Sequence, residues 1–157
     1  MAVFMARELL IALGIVTICV VVHIGSIMII AQMLLLRFSE RDGFATTTHQ
    51  ARLLLFVFAL VIGLHVLEIG IWATFYYWRG LFPDFETAVY FSFGTYSTIG
   101  YGDVVLPQGW RLLGGVEGLS GVLLCGLSAA FIFAVVNTLF QSRIQRAVRR
   151  RQEKDSL

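Results

Sequence analysis

The chain has 157 residues, enough for one domain, and 58% of them are hydrophobic against 14% charged, with a mean hydropathy of +0.82. Soluble domains carry roughly 45–50% apolar and about 25% charged residues, so a soluble fold and a disordered chain are excluded and an integral membrane protein is expected. The formal net charge of +2 hides a basic C-terminus, where Arg143, Arg146, Arg149, Arg150, Arg151 and Lys154 oppose only Glu153 and Asp155.

From Leu9 to Leu36 there is no Lys, Arg, Asp or Glu. A spanning helix needs about 20 apolar residues, whereas a cleaved signal peptide has an apolar region of about 7–15. Residues 1–38 are therefore predicted as a retained first transmembrane helix, and without repeated Arg it is not a voltage sensor. Residues 39–52 form a polar connection containing Glu40, Arg41, Asp42, Gly43, His49 and Arg52. Leu53 to Trp78 is a second apolar span, interrupted by His65 and Glu68. It ends in Trp72, Tyr76, Tyr77 and Trp78, the aromatic belt of a membrane interface.

Residues 79–84 read as a turn, with Asp84 as N-cap of a helix running to Tyr96. That helix is apolar but only about 20 Å long at 1.5 Å per residue, too short to span. Gly100, Gly102 and Pro107 then break helix, and 110–141 is a third apolar span holding one acid, Glu117. The expected fold is thus an all-α integral membrane protein with three transmembrane helices per chain and a re-entrant half-helix and loop. Non-helical backbone at membrane depth is tolerated only where it is buried in protein or lines a wet cavity, so the pattern builds a path for water or ions.

The basic tail, 142–157, places the C-terminus in the cytoplasm and in reach of anionic lipid headgroups; no nucleic-acid partner is expected. The re-entrant segment is then outside, the 39–52 connection inside and the N-terminus outside, in the plasma membrane. Cys19 and Cys125 lie in apolar runs without a CxxC and read as small packing residues. No metal cluster or nucleophile–base pair is apparent, so neither an enzyme nor a cofactor is expected.

The loop after the half-helix reads Thr98-Ile99-Gly100-Tyr101-Gly102-Asp103. It resembles the selectivity filter of potassium channels, and residues 53–141 resemble their prokaryotic-type two-helix pore domain, to which residues 1–38 add one helix. The resemblance implies an outer helix 53–78, a pore helix 84–96, a filter 98–102 and an inner helix 110–141. It also implies K+ as the permeant ion, coordinated at Thr98, Ile99, Gly100 and Tyr101, and a homotetramer around one axis.

The residue types suit that role. Carbonyls that all face one axis need alternating backbone dihedrals, and Gly100 and Gly102 supply positions where a side chain is penalised. Thr98 adds a hydroxyl, while Ile99 and Tyr101 wedge the strand from behind. The C-terminal dipole of the half-helix favours a cation. Asp103 is expected to form a carboxylate ring at the outer mouth, to hydrogen-bond Tyr90 behind the filter, or both. Several well-known potassium channels carry a Glu four residues before the filter Thr; here that position is Gly94, and the half-helix carries the aromatic pair Tyr90-Phe91. Glu117 is expected to supply the missing brace at filter depth, with snorkelling to the headgroups as the alternative.

In the third span, Gly121 is the candidate hinge and Gly126 a second. Cys125, Ala129, Phe133 and Asn137 recur every four residues on one face. If that face lines the pore, Phe133 forms a hydrophobic constriction that gates by dewetting; the alternative is an aromatic packed against lipid. His65 and Glu68 share a helix face and are read as bonding each other or a neighbouring helix rather than sensing pH, while His23 and His49 carry no reading. The expected function is passive, potassium-selective conduction. The rivals are a nonselective cation channel of the same fold, a potassium-transporter subunit, and a non-conducting or regulatory membrane subunit.

Overall fold

A computed structural model describes residues 2–40 and 47–155. The described residues form four helices and no strand: α1 (Ala2–Glu40), α2 (Thr47–Trp78), α3 (Phe85–Tyr96) and α4 (Arg111–Asp155). Three stretches are long and apolar enough to cross a membrane, Met5–Leu36, Thr48–Trp78 and Arg111–Gln145. At 31 to 35 residues each they exceed the ~20 residues that a 30 Å hydrocarbon core requires and must tilt or protrude. The expected all-α membrane fold with three long helices and one short one is therefore the observed fold.

α2 begins at Thr47 rather than at the first apolar residue, and α4 does not stop at 141 but continues as helix to Asp155. The loss of apolar character near Gln141 ends the span, not the helix: from Leu127 to Asp155 the sequence has no Gly or Pro and is rich in strong helix formers. Arg41, Asp42 and Gly43 of the polar connection lie outside the described residues.

The short helix α3 is wedged between α2 and α4. Asp84 caps it as expected, one carboxylate oxygen accepting from Thr87 N–H at 2.7 Å and the other from the Thr87 hydroxyl at 3.0 Å. Its buried residues, Ala88, Ser92 and Tyr96, recur every four positions and form one stripe turned into the protein. α2 is led into α3 by a turn in which Gly80 adopts φ +66° and the amides of Gly80 and Leu81 donate to Tyr77 and Tyr76 carbonyls.

The first helix is not peripheral. It packs mainly on α4 and also touches α2. Near its start, Glu8 is buried and accepts from Leu112 N–H at 3.3 Å, serving the otherwise unpaired donors at the start of α4. The Arg7 guanidinium lies 5.0 Å from the Trp110 ring centre, and Arg79 lies 5.1 Å from the same ring. Further along, Ala12, Ile15 and Cys19 share a core with Trp72, Tyr76, Ala88, Tyr96 and Leu113, and Ile30 and Leu34 share a second core with Val57, Val61, Val135 and Leu139.

Candidate functional site

The loop after α3 is tied to the end of the helix it leaves. Ser97 N–H donates to the Phe93 carbonyl at 3.1 Å, Thr98 N–H to Thr95 at 3.0 Å, and Gly100 N–H reaches back to Gly94 at 3.0 Å. The last four carbonyls of a helix have no partner within it, and three of them are used here to position the loop.

Within the loop φ is positive at every second residue: +60° at Thr98, +52° at Gly100 and +77° at Gly102. Such alternation turns successive carbonyls toward one side. The two glycines were expected in this role; Thr98 was not. A β-branched residue in the left-handed region costs about 1–3 kcal/mol, and the Thr98–Thr95 bond helps hold it there. All five residues from Thr98 to Gly102 are exposed.

Behind the loop, Tyr101 stacks on Tyr90, with centroids 6.4 Å apart and planes 11° from parallel. The Tyr90 hydroxyl donates to Asp103 at 2.7 Å, and the other carboxylate oxygen accepts from Val104 N–H at 3.0 Å. The Tyr90 hydrogen bond holds the Asp103 carboxyl below its ordinary range, and the same bond pushes the Tyr90 phenol up. The expected Tyr90–Asp103 contact is therefore made. Phe91, the other half of the aromatic pair, turns the opposite way and packs edge-on against Tyr76, 5.4 Å between centroids. A cavity of about 240 Å³ separates the loop from α3, lined by Tyr90, Gly94, Thr95, Tyr101 and Val105 among others.

α4 supports α3 from the other side through a stripe of glycines. A Cβ on Gly114 would lie 3.4 Å from the Phe91 ring, and one on Gly118 would lie 3.2 Å from the Thr95 carbonyl oxygen. One on Gly121 would overlap the Tyr96 carbonyl, whereas Gly126 has open space around it. Gly121 thus seats the end of α3, a constraint that the hinge expectation did not contain.

Glu117 is fully buried and accepts from the Tyr76 hydroxyl at 2.8 Å. It does not snorkel. Nor does it touch the loop: it stands behind α3, facing Ser92, with its second oxygen and the Ser92 hydroxyl both buried and unpartnered. Its carboxylate bond is to α2, so it ties α4 to α2 behind α3. Cys125, Ala129, Phe133 and Asn137 form one exposed face of α4 in the single chain, with Phe133 71% exposed.

One cluster was missed from the sequence. Glu68, fully buried, accepts from His23 Nδ1 of α1 at 2.7 Å and from the Tyr96 hydroxyl of α3, and lies 3.2 Å from His65 Nδ1. His65 Nδ1 is also 2.9 Å from the Tyr96 hydroxyl. The Ser128 hydroxyl of α4 is 3.1 Å from His65 Nε2 and 3.2 Å from His23 Nε2. The expected proximity of His65 and Glu68 is observed. A lone His in an otherwise uncharged span was the available sign for His23; Tyr96 and Ser128 gave none.

A family model described as an ion channel matches residues 64–138. The match runs from the middle of α2 through α3 and the loop to beyond Asn137 of α4, and it supports reading the chain as an ion channel. No curated protein and no solved structure matches the chain.

Proposed function

We propose that the chain is one subunit of a tetrameric, potassium-selective channel that passes K+ passively across the plasma membrane. The observation that carries this reading is the alternation of left-handed backbone at Thr98, Gly100 and Gly102, directly after a half-length helix set between two spans. One chain offers one row of carbonyls from Thr98, Ile99, Gly100 and Tyr101, open on one side. Four such rows around an axis replace the water shell of a dehydrated cation. Tyr101, held by its stack on Tyr90, favours potassium selectivity over nonselective conduction. Asp103 adds a carboxylate ring at the outer mouth. The exposed face of α4 then lines the inner cavity, with Phe133 as its constriction. The basic end of α4 is cytoplasmic and lies against anionic lipid, and the N-terminus is outside.

The test is ion flux into liposomes holding the purified protein. Potassium is expected to pass and sodium to be excluded. Gly100→Ala is expected to lose conduction, because its φ of +52° costs an L-residue roughly 1–2 kcal/mol per subunit. Parent protein that passes sodium as readily as potassium, or a Gly100→Ala variant with unchanged selective flux, refutes the reading.

A further inference from the structure

The cluster around Glu68 lies midway along all three spans and joins all four helices. Its hydrogens can be counted. A neutral imidazole has one N–H and one bare nitrogen, a hydroxyl has one hydrogen, and a carboxylate has none. His23 donates from Nδ1 to Glu68, so its Nε2 is bare and takes the Ser128 hydrogen. His65 Nε2 faces the same hydroxyl and must then carry a proton of its own. A neutral His65 is left with a bare Nδ1 facing the Glu68 carboxylate and the Tyr96 oxygen. The Tyr96 hydrogen is already committed to Glu68.

Reversing Ser128 moves the vacancy to His23 without filling it. Turning the Tyr96 hydrogen to His65 moves it to the Tyr96–Glu68 contact. With an ionised Glu68 and two neutral imidazoles the network is one hydrogen short in every arrangement. One added proton closes all the contacts and brings the cluster to zero net charge, which the membrane interior favours.

We propose that His23, His65, Glu68, Tyr96 and Ser128 form an intramembrane proton-binding site whose occupancy holds the base of the filter. It rests on reading 98–102 as the filter. Tyr96 is the last residue of α3, two before Thr98, and its carbonyl is pressed against Gly121. An empty site leaves a buried net negative charge and one of the two contacts between α2 and Tyr96 unmade, so the tether on the end of α3 is weakened. Protonation therefore favours the arrangement seen, and deprotonation releases it.

The ligand atoms of His23, His65 and Glu68 lie within 4.8 Å of one another, close enough for a metal ion to compete with the proton. As they stand, the contacts of Glu68 and Tyr96 with the two imidazoles are 2.7 to 3.2 Å, hydrogen-bond lengths. Among the described residues, the other ionisable groups within electrostatic reach of Glu68 are the thiols Cys19 on α1 and Cys125 on α4, and Cys19 also feels Glu117. The spans carry no Lys or Arg at this depth, so no fixed cation balances Glu68 in place of the proton.

The experiment uses the full chain at equal pH on both membrane faces, from about pH 5.5 to about 9, a range centred on histidine chemistry. Thermal unfolding in detergent and potassium flux in liposomes are read together. In the parent, the unfolding midpoint is expected to fall by several degrees and flux to fall several-fold as pH rises. His65→Gln, whose amide donates and accepts without titrating, is expected to flatten both profiles while keeping potassium over sodium; His49→Gln is expected to keep the parent profiles. If His65→Gln fails to fold, Glu68→Gln must flatten them instead. A parent whose unfolding midpoint does not move with pH, or a His65→Gln protein that titrates like the parent, overturns the proposal. A parent that titrates in unfolding but conducts no potassium fails the channel reading and leaves the proton site standing.

Discussion

Gly121→Ala separates a seat from a hinge. The added Cβ falls on the Tyr96 carbonyl, which is backbone and cannot swing aside as a side-chain tip does. Overpacking of this kind costs roughly 1–3 kcal/mol, and a backbone obstacle puts it at the upper end. Removing a glycine from a helix returns about 0.8–1 kcal/mol, for a net loss of roughly 2 kcal/mol. For a chain of this size that is a fall of roughly 4–8 °C in the unfolding midpoint. Because Tyr96 lies two residues before Thr98, potassium flux should fall as well. Gly126→Ala meets nothing within 4 Å and should unfold at or slightly above the parent midpoint. The assay is thermal unfolding in detergent beside liposome flux. A Gly121→Ala protein as stable as Gly126→Ala, altered only in opening, would refute the seat and restore the hinge.

Two further outcomes follow from the same geometry. Asp103 is held below the ordinary carboxylate range by Tyr90, so its charge and this bond persist through neutral and mildly acid pH and are lost only as pH falls through that lowered value. Tyr90→Phe returns the carboxyl toward about 3.9, and acid inhibition of flux should begin at a higher pH than in the parent; superimposable acid profiles would exclude the coupling. Tyr76→Phe removes the hydrogen bond that the Glu117 carboxylate accepts, and an unpaired buried acceptor costs about 1–3 kcal/mol. It should unfold well below the parent, whereas Glu117→Gln, which keeps an acceptor for Tyr76 and gains a donor toward Ser92, should lose less; a Tyr76→Phe midpoint equal to the parent's would show that the bond carries no stability.

The spans, the short helix and its Asp84 cap were legible because they depend on local rules: apolar run length, an N-cap oxygen, and glycine where the backbone turns left-handed. The Tyr90–Asp103 contact was legible because a motif fixes the spacing across one short loop. What was not legible depends on how distant helices are rotated against each other. Gly114, Gly118 and Gly121 read as generic small residues until α3 is placed on them, and only then does Gly121 stand apart from Gly126. The left-handed Thr98 was hidden because its residue type argues against it. His23 and Ser128 are 105 residues apart, and no periodicity within either helix announces that they meet. The end of α4 was misjudged for a different reason: apolarity measures what a membrane accepts, not where helical hydrogen bonding stops.

A twelve-residue helix spans about 18 Å of a hydrocarbon core about 30 Å thick, so its depth is not fixed by its own length. Lipid tails are as apolar as its side chains, and burial alone gives it no preferred height. Polar contacts do fix height, because displacing them strands a buried group. Along the buried stripe of α3, Tyr96 is bonded to Glu68 of α2, whereas Ser92, one turn earlier, faces Glu117 without a hydrogen bond. These are the two acids within the three apolar runs, and both are turned to this one helix. The His23 contact adds the first helix to that anchorage. The N-terminal helix is thereby part of what sets the depth of the loop after α3, and a chain cut back to residues 53–141 would keep the loop but lose one of its fixings.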